Sequence, residues 1–192
     1  MPRAVHIVLG RAPRGDPGQP ARSRAPRGAD LGESAPGVPL GSGFRYDCDE
    51  ASAVDLQEIA DRLEIAELLA RYARGLDTRD WDLWRSVFEE SAYIDYRSAG
   101  GIDGQRNDIG NWLEQTFTIF PMSQHAITNI ECDIDGDGAQ VRAMFHNPMQ
   151  FPGHDGPSFC GGTYRHRMIR TAAGWRSVEL IEQSSWTSNW PS

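Results

Sequence analysis

The chain has 192 residues and a net charge of −8, with 19 basic side chains, every one an arginine, against 27 acids. The charge is split: residues 1–45 carry a net +4 among eight Gly and seven Pro, and residues 46–192 carry −12. An acidic domain with scattered arginines excludes a phosphate-backbone reader. No apolar run approaches the ~20 residues that span a bilayer.

Residues 1–50 read as a disordered basic leader without function of its own. Stretches such as Arg11-Ala12-Pro13-Arg14-Gly15-Asp16-Pro17-Gly18 offer nothing apolar to offset the entropy of ordering the backbone. The short run Ala4–Leu9 is too brief for a secretory core and is followed at once by Arg11 and Arg14. Cys48, Cys132 and Cys160 are odd in number, widely spaced and without metal-ligand spacing, which points to reduced thiols in the cytoplasm. Residues 51–192 form one domain of ordinary size.

From Asp55 onward, Ile59, Leu63, Ala66, Ala70 and Ala73 recur at steps of four and three. That spacing predicts an amphipathic helix of about five turns, with Ile65, Leu69, Tyr72 and Leu76 widening its buried face. One more step lands on Asp77, a carboxylate at the helix C-terminus, where the dipole disfavours it. Trp81, Trp84, Val87 and Phe88 predict a second, short helix, residues 93–96 a strand, and residues 109–120 a third helix closed by Pro121.

The remainder is β. Residues 126–134 and 139–150 flank Asp135-Gly136-Asp137-Gly138, and residues 161–170 and 175–185 flank Thr171-Ala172-Ala173-Gly174, two hairpin signals. Residues 148–159, with three prolines and two glycines, read as a long loop of the kind that forms lids. Helices first and a meandering sheet afterwards give an α+β class.

The segment Arg62-Leu63-Glu64-Ile65-Ala66-Glu67-Leu68-Leu69-Ala70-Arg71-Tyr72-Ala73, then Asp77, Trp81 and Phe88, resembles the SnoaL-like branch of the NTF2-like superfamily. So do His125-Ala126-Ile127-Thr128-Asn129, the Asp-Gly-Asp turn, Gly162-Thr163-Tyr164 and Gly174-Trp175-Arg176. The resemblance covers roughly residues 55–186. It implies a cone: a curved antiparallel sheet and three N-terminal helices around a deep apolar pocket. Proteins on this cone range from scytalone and bile-acid dehydratases, dehydrochlorinases, ketosteroid isomerases and polyketide cyclases to non-catalytic dioxygenase β-subunits, so side chains must decide the function.

Asp77 and His125 match the aspartate and histidine that dehydratase-like members place at the end of the first helix and the start of a strand. Such a pair fixes the imidazole tautomer and leaves the other ring nitrogen free to take a proton from carbon. Tyr72 matches a tyrosine that in those members hydrogen-bonds a substrate carbonyl, as an oxyanion donor would. From the residues alone, His146 shares a strand face with Arg142 and Met144 and would serve as a proton donor if that face is concave. Asn129, in phase with His125 and Ile127, would orient substrate. Tyr93, Trp112 and Phe117 are candidate pocket walls; Tyr93 and Tyr96 point to opposite sides, so at most one faces inward. His166 reads as surface or interface and His154 as solvated.

The alternating Asp133, Asp135 and Asp137 lack the calcium-loop pattern and fit a turn better. No metal, nucleotide or redox cofactor is expected. The absence of lysine excludes Schiff-base chemistry and sets the chain apart from the lysine-bearing dehydrochlorinases. The expected function is a cofactor-independent lyase or isomerase, a dehydratase of a hydrophobic cyclic carbonyl compound, acting as a cytoplasmic homodimer or homotrimer without nucleic-acid or membrane partners. The alternatives are a polyketide cyclase and a non-catalytic ligand-binding or assembly subunit. An open pocket would favour the enzyme; one filled by Trp112 and Phe117 would favour the latter.

Overall fold

A computed structural model describes residues 55–191. Expectations for residues 1–50 and for Cys48 lie outside them. Helix α1 spans Leu56–Thr78; the Asp55 carboxylate caps it, accepting from the N–H groups of Gln57 (2.8 Å) and Glu58 (3.4 Å). Arg79, left-handed at φ 57°, turns the chain out, and the Asp80 N–H returns to Gly75 O at 2.9 Å. Asp80 then caps α2 (Trp81–Ser86) through the Leu83 N–H at 2.9 Å. The two helices touch at Gly75, where a Cβ would sit 2.8–2.9 Å from the Trp84 backbone. Only hydrogen fits there.

The buried line of α1 differs from the expected one. It runs through Asp61, Ile65, Leu68, Leu69, Tyr72 and Leu76, while Ile59 and Leu63 are 43% and 63% exposed. The ion pair of buried Asp61 with half-buried Arg170 accompanies this rotation. Both oxygens of Asp61 accept from the Arg170 guanidinium at 2.6 Å, and Asp61 Oδ1 also accepts from Trp175 Nε1 (3.2 Å) and Gln57 Nε2 (3.0 Å). Arg170 holds this carboxylate well below the usual carboxylate range. With this pairing Asp61 faces inward and two aliphatic side chains stay outside.

Strand β1 covers Phe88–Asp95, so Phe88 opens a strand where the sequence predicts helix. After a 3₁₀ turn at Arg97–Ala99 come β2 (Asp103–Gln105), α3 (Arg106–Thr116) and a second 3₁₀ turn, Phe117–Ile119; the predicted third helix is thus two pieces. The remaining strands are β3 (Met122–Ser123), β4 (Ala126–Asp135), β5 (Gly138–Gln150), β6 (Ser158–Thr171) and β7 (Gly174–Ser188).

The sheet order is β2-β1-β7-β6-β5-β3, with β4 also paired to β5. The sheet is antiparallel, as expected, except for β1 and β7, which run parallel. Register shifts at Thr128/Glu131, Gly161/Gly162 and Arg167/Met168 bend the long strands, and the sheet is strongly curved. Its inner face packs on α1 around Leu68, Leu69, Trp84, Ala143, Tyr164, Met168, Trp175 and Leu180, all buried. Each fully buried aliphatic side chain of this set contributes roughly 1.5–3 kcal/mol.

The predicted lid shrinks. Strand β5 runs on to Gln150 and β6 begins at Ser158, leaving residues 151–157. Gln150 Nε2 donates to His154 O at 2.7 Å, and Asn189 Nδ2 donates to Asp155 O (3.0 Å) and Pro157 O (3.1 Å). These bonds pin the loop. No helix among the described residues is long and apolar enough to cross a membrane.

Candidate active site

The end of α1 and the start of β4 meet at Asp77 and His125. His125 Nδ1 stands 2.6 Å from Asp77 Oδ1, and the His125 backbone N–H donates to Oδ2 at 2.8 Å. Ser123 Oγ donates to Oδ1 at 3.4 Å. A carboxylate only accepts, so Nδ1 carries its hydrogen toward Asp77 and Nε2 is the nitrogen available for chemistry. The imidazole is nearly enclosed, 4% exposed, and stacks on Phe117.

Asn147 on β5 meets that second nitrogen. Its carboxamide lies 3.0 Å from His125 Nε2. The other end of the amide faces Gln124 O (3.1 Å) and Pro148 O (3.2 Å). An amide with its NH2 on those carbonyls presents oxygen to Nε2 and suits a protonated Nε2. The opposite orientation presents NH2 and suits an Nε2 lone pair. Gln124 O and Pro148 O favour the first orientation, because the second would set the amide oxygen against two acceptors.

Beside the pair lies a cavity of about 130 Å³, walled by Leu76, Trp112, Phe117, Phe120, Met149, Phe151 and Trp190. Its size is close to the roughly 150 Å³ engineered cavity that holds a benzene. Trp112 and Phe117 line it without filling it. Deeper in, Tyr72 OH and Tyr96 OH are 2.8 Å apart, and the Tyr164 ring packs edge-on to Tyr72. Burial raises all three phenols well above their ordinary pKa, and the nearby Glu182 carboxyl raises them further. Burial likewise pushes the Cys160 thiol up to about 12.

Glu182 is the carboxyl that lines the cavity among the described residues, 8% exposed and opposite Tyr164 in the β6–β7 register. Burial lifts its pKa from 4.5 to about 7, against the hydrogen bond that Ser184 Oγ donates to Oε1 at 3.1 Å.

The structure thus brings together Asp77, His125, Tyr72, Trp112 and Phe117, and it leaves three candidates outside. His146 is exposed on the outer sheet face, stacked on Phe159 and beside Trp186. The inward phase of β5 is Val141, Ala143, Phe145, Asn147 and Met149. Asn129 is exposed at the β4 bulge with φ 50°, so it loses the alternation that would align it with His125. Tyr93 instead donates to Asp103 Oδ2 at 2.6 Å on the far side of β1, and Tyr96 faces the cavity. His166 is no surface residue: it is 1% exposed, 3.0 Å from Ser177 Oγ, and burial lowers its pKa to about 3. His154 is partly buried, its Nε2 2.9 Å from Asn189 O.

Sequence reasoning missed Asn147 and Glu182. Both carried a readable signal, a polar residue in phase with apolar ones: Asn147 with Ala143 and Phe145, Glu182 with Leu180. Among the described residues no group of three His, Cys, Asp or Glu side chains is placed to hold a metal ion.

Uncharacterised proteins of Mycobacterium tuberculosis and Mycobacterium bovis are 41% identical over 134 residues, 69% of this chain and 91% of theirs. A solved protein from Kribbella flavida aligns at 32% identity with a TM-score of 0.64, covering 69% of this chain and 95% of its own. A protein of Novosphingobium aromaticivorans provisionally assigned as a scytalone dehydratase shares the fold at 18% identity (TM-score 0.64; 70% and 91% covered). A hexachlorocyclohexane dehydrochlorinase of Novosphingobium barchaimii does so at 15% (0.62; 70% and 92%). The SnoaL-like domain profile matches residues 57–181, and with this cone of NTF2-like architecture the chain belongs to the SnoaL-like domain family.

Proposed function

We propose that the cavity is the active site of a cofactor-independent lyase, a dehydratase of a hydrophobic cyclic hydroxy-carbonyl compound. The observation that carries this reading is the Asp77–His125 pair, closed at 2.6 Å, at the edge of an open apolar cavity. A neutral imidazole whose Nδ1–H is held by a carboxylate is a general base at Nε2, and Asp77 stabilises the imidazolium that forms. The reaction begins when Nε2 removes a proton from the carbon α to the substrate carbonyl. The Asn147 oxygen, which the NH2 bonds to Gln124 O and Pro148 O aim at this nitrogen, accepts from the new Nε2–H.

The negative charge that develops on the carbonyl oxygen needs a donor. Two hydroxyls that share one hydrogen bond, as Tyr72 and Tyr96 do, keep one O–H free, and that hydrogen can be given to the oxygen. Loss of the β-hydroxyl then completes the double bond. The similarity in fold to a provisional scytalone dehydratase and to a dehydrochlorinase, both named for eliminations, supports the reaction class. The open cavity favours the enzyme over an assembly subunit.

The test is turnover of 3-hydroxycyclohexanone and 3-hydroxy-1-tetralone, followed as enone or 1-naphthol formation. Wild type is expected to accelerate elimination, and His125→Ala to lose roughly 10²–10⁴-fold of that rate. Undiminished turnover by His125→Ala would remove the proposed base.

A further inference from the structure

The proton that leaves with the hydroxyl has to come from somewhere. Elimination of hydroxide is poor without it, and His146, on the outer face, is not available. We propose that Glu182 is the proton donor of the cavity, handing its carboxyl hydrogen to the oxygen of the departing hydroxyl while His125 takes the proton from the neighbouring carbon. The proposal rests on the lyase reading above.

Geometry supports it first. Glu182 lines the same cavity as His125 but sits on β7, among Tyr72, Tyr96, Tyr164 and Cys160, so the two titratable groups approach the ligand from different strands. One carboxyl oxygen accepts from Ser184 Oγ, its single side-chain hydrogen bond among the described residues. Among the described residues no arginine lines the cavity, and the charge of Asp95 also disfavours the Glu182 carboxylate. A carboxyl in apolar surroundings, without a cation and beside another acid, holds its proton near neutrality, and its pKa of about 7 agrees with this. An acid of this strength is suited to protonate a leaving oxygen at neutral pH.

The step balances without a further reactant. The C–H pair becomes the new π bond, the C–O pair leaves on oxygen, and the Glu182 hydrogen joins it to give water. Glu182 is left as carboxylate and His125 as imidazolium, and one proton passed between them through the product water restores both.

A change of leaving group tests the role, because acetate departs without being protonated. Enone formation from 3-hydroxycyclohexanone and 3-acetoxycyclohexanone is compared for wild type, Glu182→Gln and His125→Ala. Glu182→Gln is expected to lose at least about 100-fold on the alcohol and to stay within about threefold on the acetate. His125→Ala is expected to lose on both. Equal losses by Glu182→Gln on the two substrates would overturn the donor role. If His125→Ala stays active while Glu182→Gln shows the leaving-group pattern, the base assignment fails and Glu182 stands. If wild type turns over neither substrate, infrared difference titration decides. A carboxylic C=O stretch that disappears around pH 7 and is lacking in Glu182→Gln supports a proton-bearing donor; its absence from wild type overturns it.

Discussion

Asp77 holds His125 at two points, ring and backbone: Oδ1 faces Nδ1 at 2.6 Å while Oδ2 accepts the His125 N–H at 2.8 Å. One carboxylate at the end of α1 therefore positions both the imidazole and the chain that enters β4. The half-buried Asp77 is where helix and sheet are joined as well as where the base is oriented.

Asp77→Asn separates those two tasks. The amide can still accept from the backbone N–H, so the fold is expected to survive, as near-unchanged circular dichroism would show. A neutral amide no longer stabilises the imidazolium and can bond the wrong tautomer. Turnover of 3-hydroxycyclohexanone is expected to fall roughly 10²–10⁴-fold, with most of the loss in kcat.

Asn147→Ala removes the partner of Nε2 and the donor to Gln124 O and Pro148 O. We expect about a tenfold lower kcat and a stability loss of about 1 kcal/mol, the net worth of a typical internal hydrogen bond. Urea unfolding and steady-state kinetics on the same preparation measure both. An unchanged kcat would mean that the amide serves the strand alone.

Asp61 governs acid stability. Its folded-state pKa is depressed below the ordinary 3.8, so its contribution is complete above about pH 4 and is lost as pH falls through the lower folded value. Wild type is expected to lose stability steeply below pH 4, and Asp61→Asn to show a flatter profile from a lower plateau. At neutral pH, Asp61→Ala leaves Trp175 Nε1 unmatched and takes the bidentate partner from Arg170, which keeps only Asp137 at 3.1 Å among the described residues. The expected cost is about 3 kcal/mol by urea denaturation.

Glu182 has the opposite sign. Its folded pKa of about 7 lies above its ordinary 4.5, so between these values the folded protein holds more protons than the unfolded chain. Stability contributed by this group is present below about pH 4.5 and declines as pH rises to 7, by up to about 3 kcal/mol. Glu182→Gln removes that decline. Chemical denaturation of both proteins at pH 5 and pH 7.5 reads the difference directly: the gap between the two pH values is expected to narrow in the variant.

Much of the fold was legible locally. The Asp135–Gly138 and Thr171–Gly174 turns and the alternation on either side of them specify β4–β5 and β6–β7, because a turn and the strands it joins are set by neighbouring residues. Asp77 and His125 were legible through resemblance to related chains. Even the phase of Asn147 was there to be read, since Val141, Ala143 and Phe145 mark the inner face of β5 and exclude His146 from it.

What the tertiary structure decided depends on contacts across long sequence separations. Hydrophobic spacing placed Ile59 and Leu63 inward, but the ion pair from Asp61 to Arg170, 109 residues away, accompanies a different rotation of α1. The parallel docking of β1 on β7 puts Tyr96 rather than Tyr93 at the cavity. The state of Glu182 follows the same logic. In the sequence it is one acid among 27, and its readiness to carry a proton arises only because β6, β7 and α1 enclose it with no compensating cation among the described residues. Periodicity reports which residues turn together, whereas burial of a charge and the partner that answers it exist only once distant segments have met.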